Sequence, residues 1–427
     1  MIYEFKDGLE FAKELDRLDV LNSTRQRFYL NEGEIYMDGN SLGLSSKDAE
    51  AALQNVMNVW RKEAIKIWGV EDGRYFKFSR NLAEKLKSLI NADAEEIIVM
   101  GSITSNLHQA LATFYTPTEA RYKILVDALN FPSDIYATKS MIELKGYEVE
   151  DVLVQVQSKD GRTLCEEDII AEMKEDVALI LLPSVLYRSA QLLDMELITK
   201  EAHKRGIIIG WDLAHSIGSV PHDFKKIDPD FAVWCSYKYL NGGPGANAGM
   251  YINRRHFGRN AGLKGWFGSK EESQFLMSHE FDQNNDANGF LLGTHNMFSM
   301  APLDGSLNIF NEVGIETIRA KSLHITAYLM YLIDQKLSHH GYFIGNPRED
   351  SRRGGHVALE HDEAYRISLA LRDHKVIPDY REPNVIRLAP VALYVSYEEV
   401  YRLVEILEKI VTHKEYEHYS LKRVTVL

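Results

Sequence analysis

Residues 206–245, GIIIGWDLAHSIGSVPHDFKKIDPDFAVWCSYKYLNGGPG, hold two short apolar runs, one ending on Asp212 and the other just ahead of Lys238. Both runs are apolar enough to be buried on two faces, which is how strands of a parallel sheet read. Five more runs of the same kind lie at 95–100, 122–127, 147–154, 177–182 and 248–253. Stretches of helical length, with apolar residues three and four apart, separate several of them: 107–114, 134–144 and 196–205. Alternating strand and helix predicts an α/β fold with a mostly parallel, doubly wound sheet of seven strands. Ligands of such sheets bind beyond the carboxyl ends of the strands, where Asp212 and Lys238 lie.

At 427 residues the chain exceeds one ordinary domain. A long helical stretch at 313–337 leads into a second unit: strands at 342–344, 356–361 and 385–389, a helix at 363–372, and a final helix opened by a Ser396-x-x-Glu399 capping box. Val400, Leu403, Val404, Leu407 and Val411 mark the core face of that last helix. The charged, glycine-containing segment 346–355 reads as an exposed loop. The division expected is an N-terminal segment 1–45 packing with the small domain, a large domain 46–305, and a smaller α/β C-terminal domain 306–427.

Lysine and arginine number 49 against 62 acidic residues, a formal charge of −13 spread along the chain, which disfavours nucleic acid as a partner. The two cysteines, Cys165 and Cys235, have no CxxC neighbour, so neither a disulfide framework nor a cysteine-based metal site is expected. The first residues lack the basic and apolar segments of a signal peptide, and no apolar run reaches the ~18 residues of a membrane span. A reducing cytoplasm is the expected compartment, with no membrane partner.

Taken singly, Asp212 could cap a helix and Lys238 could be a solvated strand end. Together they answer a specific need. A pyridoxal phosphate (PLP) site needs a lysine to hold the cofactor aldehyde and a carboxylate to keep the pyridine nitrogen protonated. Gly101-Ser-Ile-Thr-Ser-Asn106, between the first strand and a helix, adds free amides and hydroxyls suited to a phosphate, although serines and threonines cap most helices. Arg387 lies on an apolar strand, where an unpaired guanidinium is costly, so a ligand or a buried acid is expected beside it.

The segments YMDGNSLGL (36–44), ITSNLH (103–108), NFPSD (130–134), WDLAHSIG (211–218), WCSYKYLNGGPG (234–245), GWFG (265–268) and PNVIRLAPVALY (383–394) resemble kynureninase signatures in that family's order. The resemblance implies a fold-type I PLP enzyme, a homodimer that converts kynurenine and water to anthranilate and alanine within tryptophan catabolism and NAD biosynthesis. It assigns the Schiff base and the substrate α-proton to Lys238, the pyridine nitrogen to Asp212 and the stacking ring to Phe131. Ile103, Thr104 and Tyr237 hold the phosphate, while Asp134 and His215 support the ring and its oxygen. Trp266 and Thr294 reach the same phosphate from the partner subunit, and Arg387, with Ser41, takes the substrate carboxylate as a fork that lysine cannot reproduce. Tyr237 is also the candidate proton relay, a phenol expected to be tuned toward neutral pH.

Two departures stand out. Only Ser184, in Pro183-Ser184, is available for the hydroxyl or amide that the family places near the cofactor oxygen. Where some relatives carry a histidine near the substrate ring, this chain has Trp68-Gly69-Val70, which leaves open whether 3-hydroxykynurenine is cleaved to 3-hydroxyanthranilate. Two alternatives are a cysteine desulfurase or selenocysteine lyase and a non-catalytic PLP-binding protein. No cysteine follows Cys235 to serve as a desulfurase nucleophile, and the joint presence of Lys238, Asp212 and Arg387 argues for catalysis.

Overall fold

The computed structural model describes residues 4–422. A two-residue strand, β1 (Ile35–Tyr36), precedes the main sheet, formed by β2 (Ile97–Met100), β3 (Lys123–Asp127), β4 (Leu153–Val156), β5 (Val177–Pro183), β6 (Ile208–Asp212), β7 (Phe231–Trp234) and β8 (Ala248–Ile252). Their spatial order is β2-β8-β7-β6-β5-β3-β4, with β8 antiparallel to both its neighbours and every other pairing parallel. β2, β7 and β8 are buried at every position, which accounts for their unbroken apolar runs.

The expected strand 147–154 is shifted. Residues Val149–Val152 form a single helical turn and pairing begins only at Leu153. Glu148, Glu150 and Asp151 load this stretch with acid, which suits a helix N-terminus better than a strand. β4 is also an edge strand paired on one side only, so little opposes the change.

The helices at Ile103–Phe114, Pro132–Leu144 and Met195–Lys204 connect the strands where the apolar spacing predicts them. The expected boundary at 305/306 falls inside the helix Met297–Val313, which packs on Lys47–Glu63. Gly314, with a φ of 78°, ends that helix before Ile315–Lys336 begins.

Beyond it, β9 (Phe343–Ile344), β10 (Val357–Glu360), β12 (Asp379–Arg381) and β13 (Val385–Leu388) form an antiparallel sheet of order β12-β13-β10-β9, while β11 (Val376–Ile377) pairs parallel with β1. The helix Tyr397–Thr412 has the Ser396/Glu399 capping box, and Val400, Leu403, Val404 and Leu407 are buried on it. The N-terminal residues bind this part of the chain: Thr24 Oγ1 donates to Leu393 O at 2.7 Å and Arg25 pairs with Glu399.

Segment 346–355 is exposed only in its middle. Asn346 and 353–355 are buried, and Arg353 pairs with Asp350 while donating to the Leu323 and Arg348 carbonyls. Backbone acceptors and an acid satisfy its charge, so the charged composition did not mean exposure.

Candidate functional site

The ends of β2, β3, β5, β6 and β7 converge on a cavity of about 270 Å³. Ser41, Ile103, Thr104, Phe131, Asp134, Asp212, His215, Tyr237, Lys238 and Arg387, all expected from the sequence, line it. So do Asn40, Asn130, Tyr187 and Arg381, which were not expected.

Lys238 lies four residues past the end of β7 in a turn closed by Asn241 N–H to Lys238 O (2.9 Å) and Gly242 N–H to Ser236 O (2.8 Å). Segment 39–44 is pressed against this turn, with Gly43 N–H donating to Tyr237 O at 2.7 Å. A Cβ on Gly43 would come within 2.3 Å of the Lys238 carbonyl oxygen, and one on Gly39 would strike the Tyr394 hydroxyl. The glycines of GNSLGL therefore serve close approach.

Lys238 Nζ lies 2.9 Å from His215 Nε2 and 5.9 Å from the Phe131 ring centre. Burial, with Lys238 and Arg387 nearby, pushes the His215 pKa well below its ordinary value, so the imidazole is neutral. The other ring nitrogen, Nδ1, is buried and unpaired. Phe131 caps the helix Pro132–Leu144, with 39% of its surface open and its edge against Tyr187 (5.3 Å between centroids). An exposed aromatic face over the lysine is a platform for a planar ring.

Asp212 and Asp134 form a buried carboxyl pair. Burial and the neighbouring Asp212 push the Asp134 pKa far up; burial raises that of Asp212 as well, but less far, because Lys238, the Ala214 N–H (2.7 Å) and Asp134 favour its charged form. Of the two, Asp134 is the stronger holder of a proton and Asp212 the one that ionises first.

In the helix Ile103–Phe114, Ser102 and Ser105 cap each other, leaving the Ile103 and Thr104 amides outside the helical ladder and facing the cavity region. A second cavity, about 510 Å³, touches these residues, Tyr237 and the same chain's Thr294. Trp266 lines neither cavity; it is 44% exposed and donates to Gln274 O.

Two expectations change. Ser184 is off the cavity: Pro183 and Val185 line it, and the alternation of an extended chain turns Ser184 to the other side, where its hydroxyl bonds Ser216 Oγ (2.7 Å) and Asp212 O (3.1 Å). Tyr237 is not tuned toward neutrality. Burial and Cys235 beside it raise its pKa, so the phenol keeps its proton.

Arg387 is 1% exposed and pairs with Asp379, while also donating to Tyr187 O (2.7 Å) and Ser41 Oγ (3.0 Å). Asp379, half-buried, is the acid that the strand position of Arg387 required, but only the β12–β13 pairing, which sets Asp379 opposite Arg387, identifies it. His356, fully buried behind His215 (6.0 Å between rings) with its pKa pushed down to about 3 by burial, lay in the stretch read as strand and gave no sequence signal.

A bound PLP fits these residues. The lysine, the acid, the aromatic platform and the free helix amides are the donor set that it needs, and Asn40 adds a fully buried amide at the cavity with both polar atoms unpaired. Cys235, 1% exposed with its thiol pushed up by burial, has none of the marks of a nucleophile. Among the described residues no group of histidine, cysteine and acidic side chains could hold a metal.

Solved structures share the fold. The apo cysteine desulfurase from Thermococcus onnurineus NA1 matches with a TM-score of 0.79 and 17% identity, over 96% of this chain and all of that one. A C-DES variant with glycine covalently linked to its PLP cofactor matches with a TM-score of 0.78 and 16% identity, over 90% of this chain and 99% of that one. The kynureninase C-terminal domain family matches residues 318–407. Kynureninase from Geobacillus thermodenitrificans is 54% identical over 418 residues, 98% of each chain. Identity at that level over nearly the whole of both chains means that the chain belongs to the kynureninase family.

Proposed function

We propose that the protein hydrolyses the Cβ–Cγ bond of L-kynurenine to anthranilate and L-alanine, with pyridoxal 5'-phosphate as cofactor. The observation that carries this reading is the grouping of Lys238, Asp212 and Arg387 around one cavity in a chain of this family. Bound PLP supplies an electron sink for the substrate α-carbon. Lys238 holds the cofactor and moves the α-proton, with His215 Nε2 orienting its amine. Asp212 is the partner for the pyridine nitrogen, and it ionises ahead of Asp134, whose carboxyl is raised further. Phe131 covers the ring, His215 supports its oxygen, and the Ile103 and Thr104 amides with the Tyr237 phenol hold the phosphate. Arg387 and Ser41 bind the substrate carboxylate. Water adds at the γ-carbonyl carbon, the Cβ–Cγ bond breaks, and Cβ takes a proton. Tyr237, which burial keeps protonated, is suited to give one.

The site is read as shared within a homodimer, with Trp266 and Thr294 serving the partner's phosphate. Exposed Trp266, Phe275, Leu276 and Met277 support an interface here, since large apolar side chains clustered at a surface mark contact with another protein. No helix among the described residues is long and apolar enough to cross a membrane, and the free cysteines Cys165 and Cys235 fit the cytoplasm.

The test is incubation of the purified protein and PLP with L-kynurenine and, separately, 3-hydroxykynurenine. Anthranilate and alanine in equal amounts are expected from kynurenine. No anthranilate above a PLP-only control would sink the reading.

A further inference from the structure

An arginine guanidinium has five N–H donors. In Arg387 four are engaged: Nε and Nη2 on Asp379, Nη1 on Tyr187 O, and the second Nη2 proton on Ser41 Oγ. One Nη1 N–H is left, and a carboxylate has two oxygens to satisfy. The side-on fork, which gives arginine its bidentate grip, is already filled by Asp379. Arg387 alone therefore cannot take a substrate carboxylate through two hydrogen bonds without surrendering a partner.

Arg381 lines the same cavity. It lies two residues after Asp379 on β12, so both side chains leave the same face of the strand. Among the described residues its one hydrogen-bond partner is Asp379, held through Nε at 3.1 Å, while Asp38 acts on it only through its charge, so both terminal amino groups are without a hydrogen bond there. Its side chain is 36% exposed against 1% for Arg387, which sets Arg381 toward solvent and Arg387 in the floor. Asp379, bonded to both, fixes the two guanidinium groups beside one another.

We propose that Arg381 is the second half of the substrate carboxylate site: the carboxylate bridges the unengaged amino groups of Arg381 and the remaining Nη1 N–H of Arg387, with Asp379 holding the pair in register. This rests on the proposed reaction for the identity of the substrate, but its chemistry, recognition of an α-amino acid carboxylate, applies to any such ligand.

The test uses PLP-loaded wild type, Arg381→Gln and Arg381→Lys. For kynurenine, KM is expected to rise about 10- to 100-fold in Arg381→Gln with kcat within a few-fold, and Arg381→Lys to recover part of the loss. Kynuramine, which is kynurenine without its carboxylate, should inhibit all three equally. A calorimetric Kd for L-alanine, which needs no turnover, should weaken in parallel with KM. An unchanged KM and an unchanged alanine Kd would overturn the proposal, and so would a kynuramine inhibition constant that rises as much as KM, since that marks a general disturbance of the cavity. If the wild type fails to cleave kynurenine, the proposed reaction falls, while the alanine Kd still decides the role of Arg381.

Discussion

Gly43→Ala tests whether the N-terminal segment is part of the site. The added Cβ would sit 2.3 Å from both Lys238 O and Asn241 Oδ1, and 2.9 Å from Asn241 Cα. Two of these three are backbone atoms, which cannot rotate aside. Ordinary contact needs about 1 Å more, so either segment 39–44 or the lysine turn must retreat by roughly that amount. Overpacking of this kind costs about 1–3 kcal/mol in stability. The catalytic cost is larger, because the retreat moves Ser41 away from Arg387 or Lys238 away from His215, and ~1 Å of misplacement costs roughly a hundredfold in rate. The expected result is a modest fall in melting temperature with a loss of about two orders of magnitude in kcat/KM for kynurenine. Wild-type kinetics with an unchanged melting temperature would refute the close approach, and with it the explanation offered for GNSLGL.

Lys238→Ala should abolish turnover and the borohydride-reducible PLP–lysine link while PLP still binds through phosphate and ring contacts; a surviving reducible link would mean that another lysine holds the cofactor. Asp127, fully buried at the end of β3, has its carboxyl raised to about 7 by burial. Its neutral form stabilises the fold below the unfolded carboxyl range near 4, and that contribution is lost as pH rises through about 7. Apo wild type should therefore gain about 2–3 kcal/mol from this group between pH 8 and pH 5, a gain that Asp127→Asn lacks; parallel stability–pH curves for the two proteins would contradict the raised carboxyl. For the shared site, mixing Lys238→Ala subunits with Trp266→Ala/Thr294→Ala subunits under exchange should restore activity above the sum of the parents, since one site per heterodimer receives every intact residue. Exchange without recovery would assign both residues to their own chain.

The strands and the lysine turn were legible because burial on both faces and the chemistry of PLP leave local marks, such as unbroken apolar runs and an acid and a lysine at successive strand ends. The carboxylate site left fewer. Ser41 and Arg387 meet across 346 positions of sequence, and the acid between the two arginines becomes visible only when β12 pairs with β13. Ser184 failed for a related reason. The sequence places it at the right strand end, but the side from which a residue leaves an extended chain is fixed by register, and Val185 rather than Ser184 has the inward position. A one-residue offset is invisible in composition and decisive in chemistry. For Arg381, spacing from Asp379 gives the shared face, but only the donor count on Arg387, with Asp379, Tyr187 and Ser41 already in place, points to a second cation.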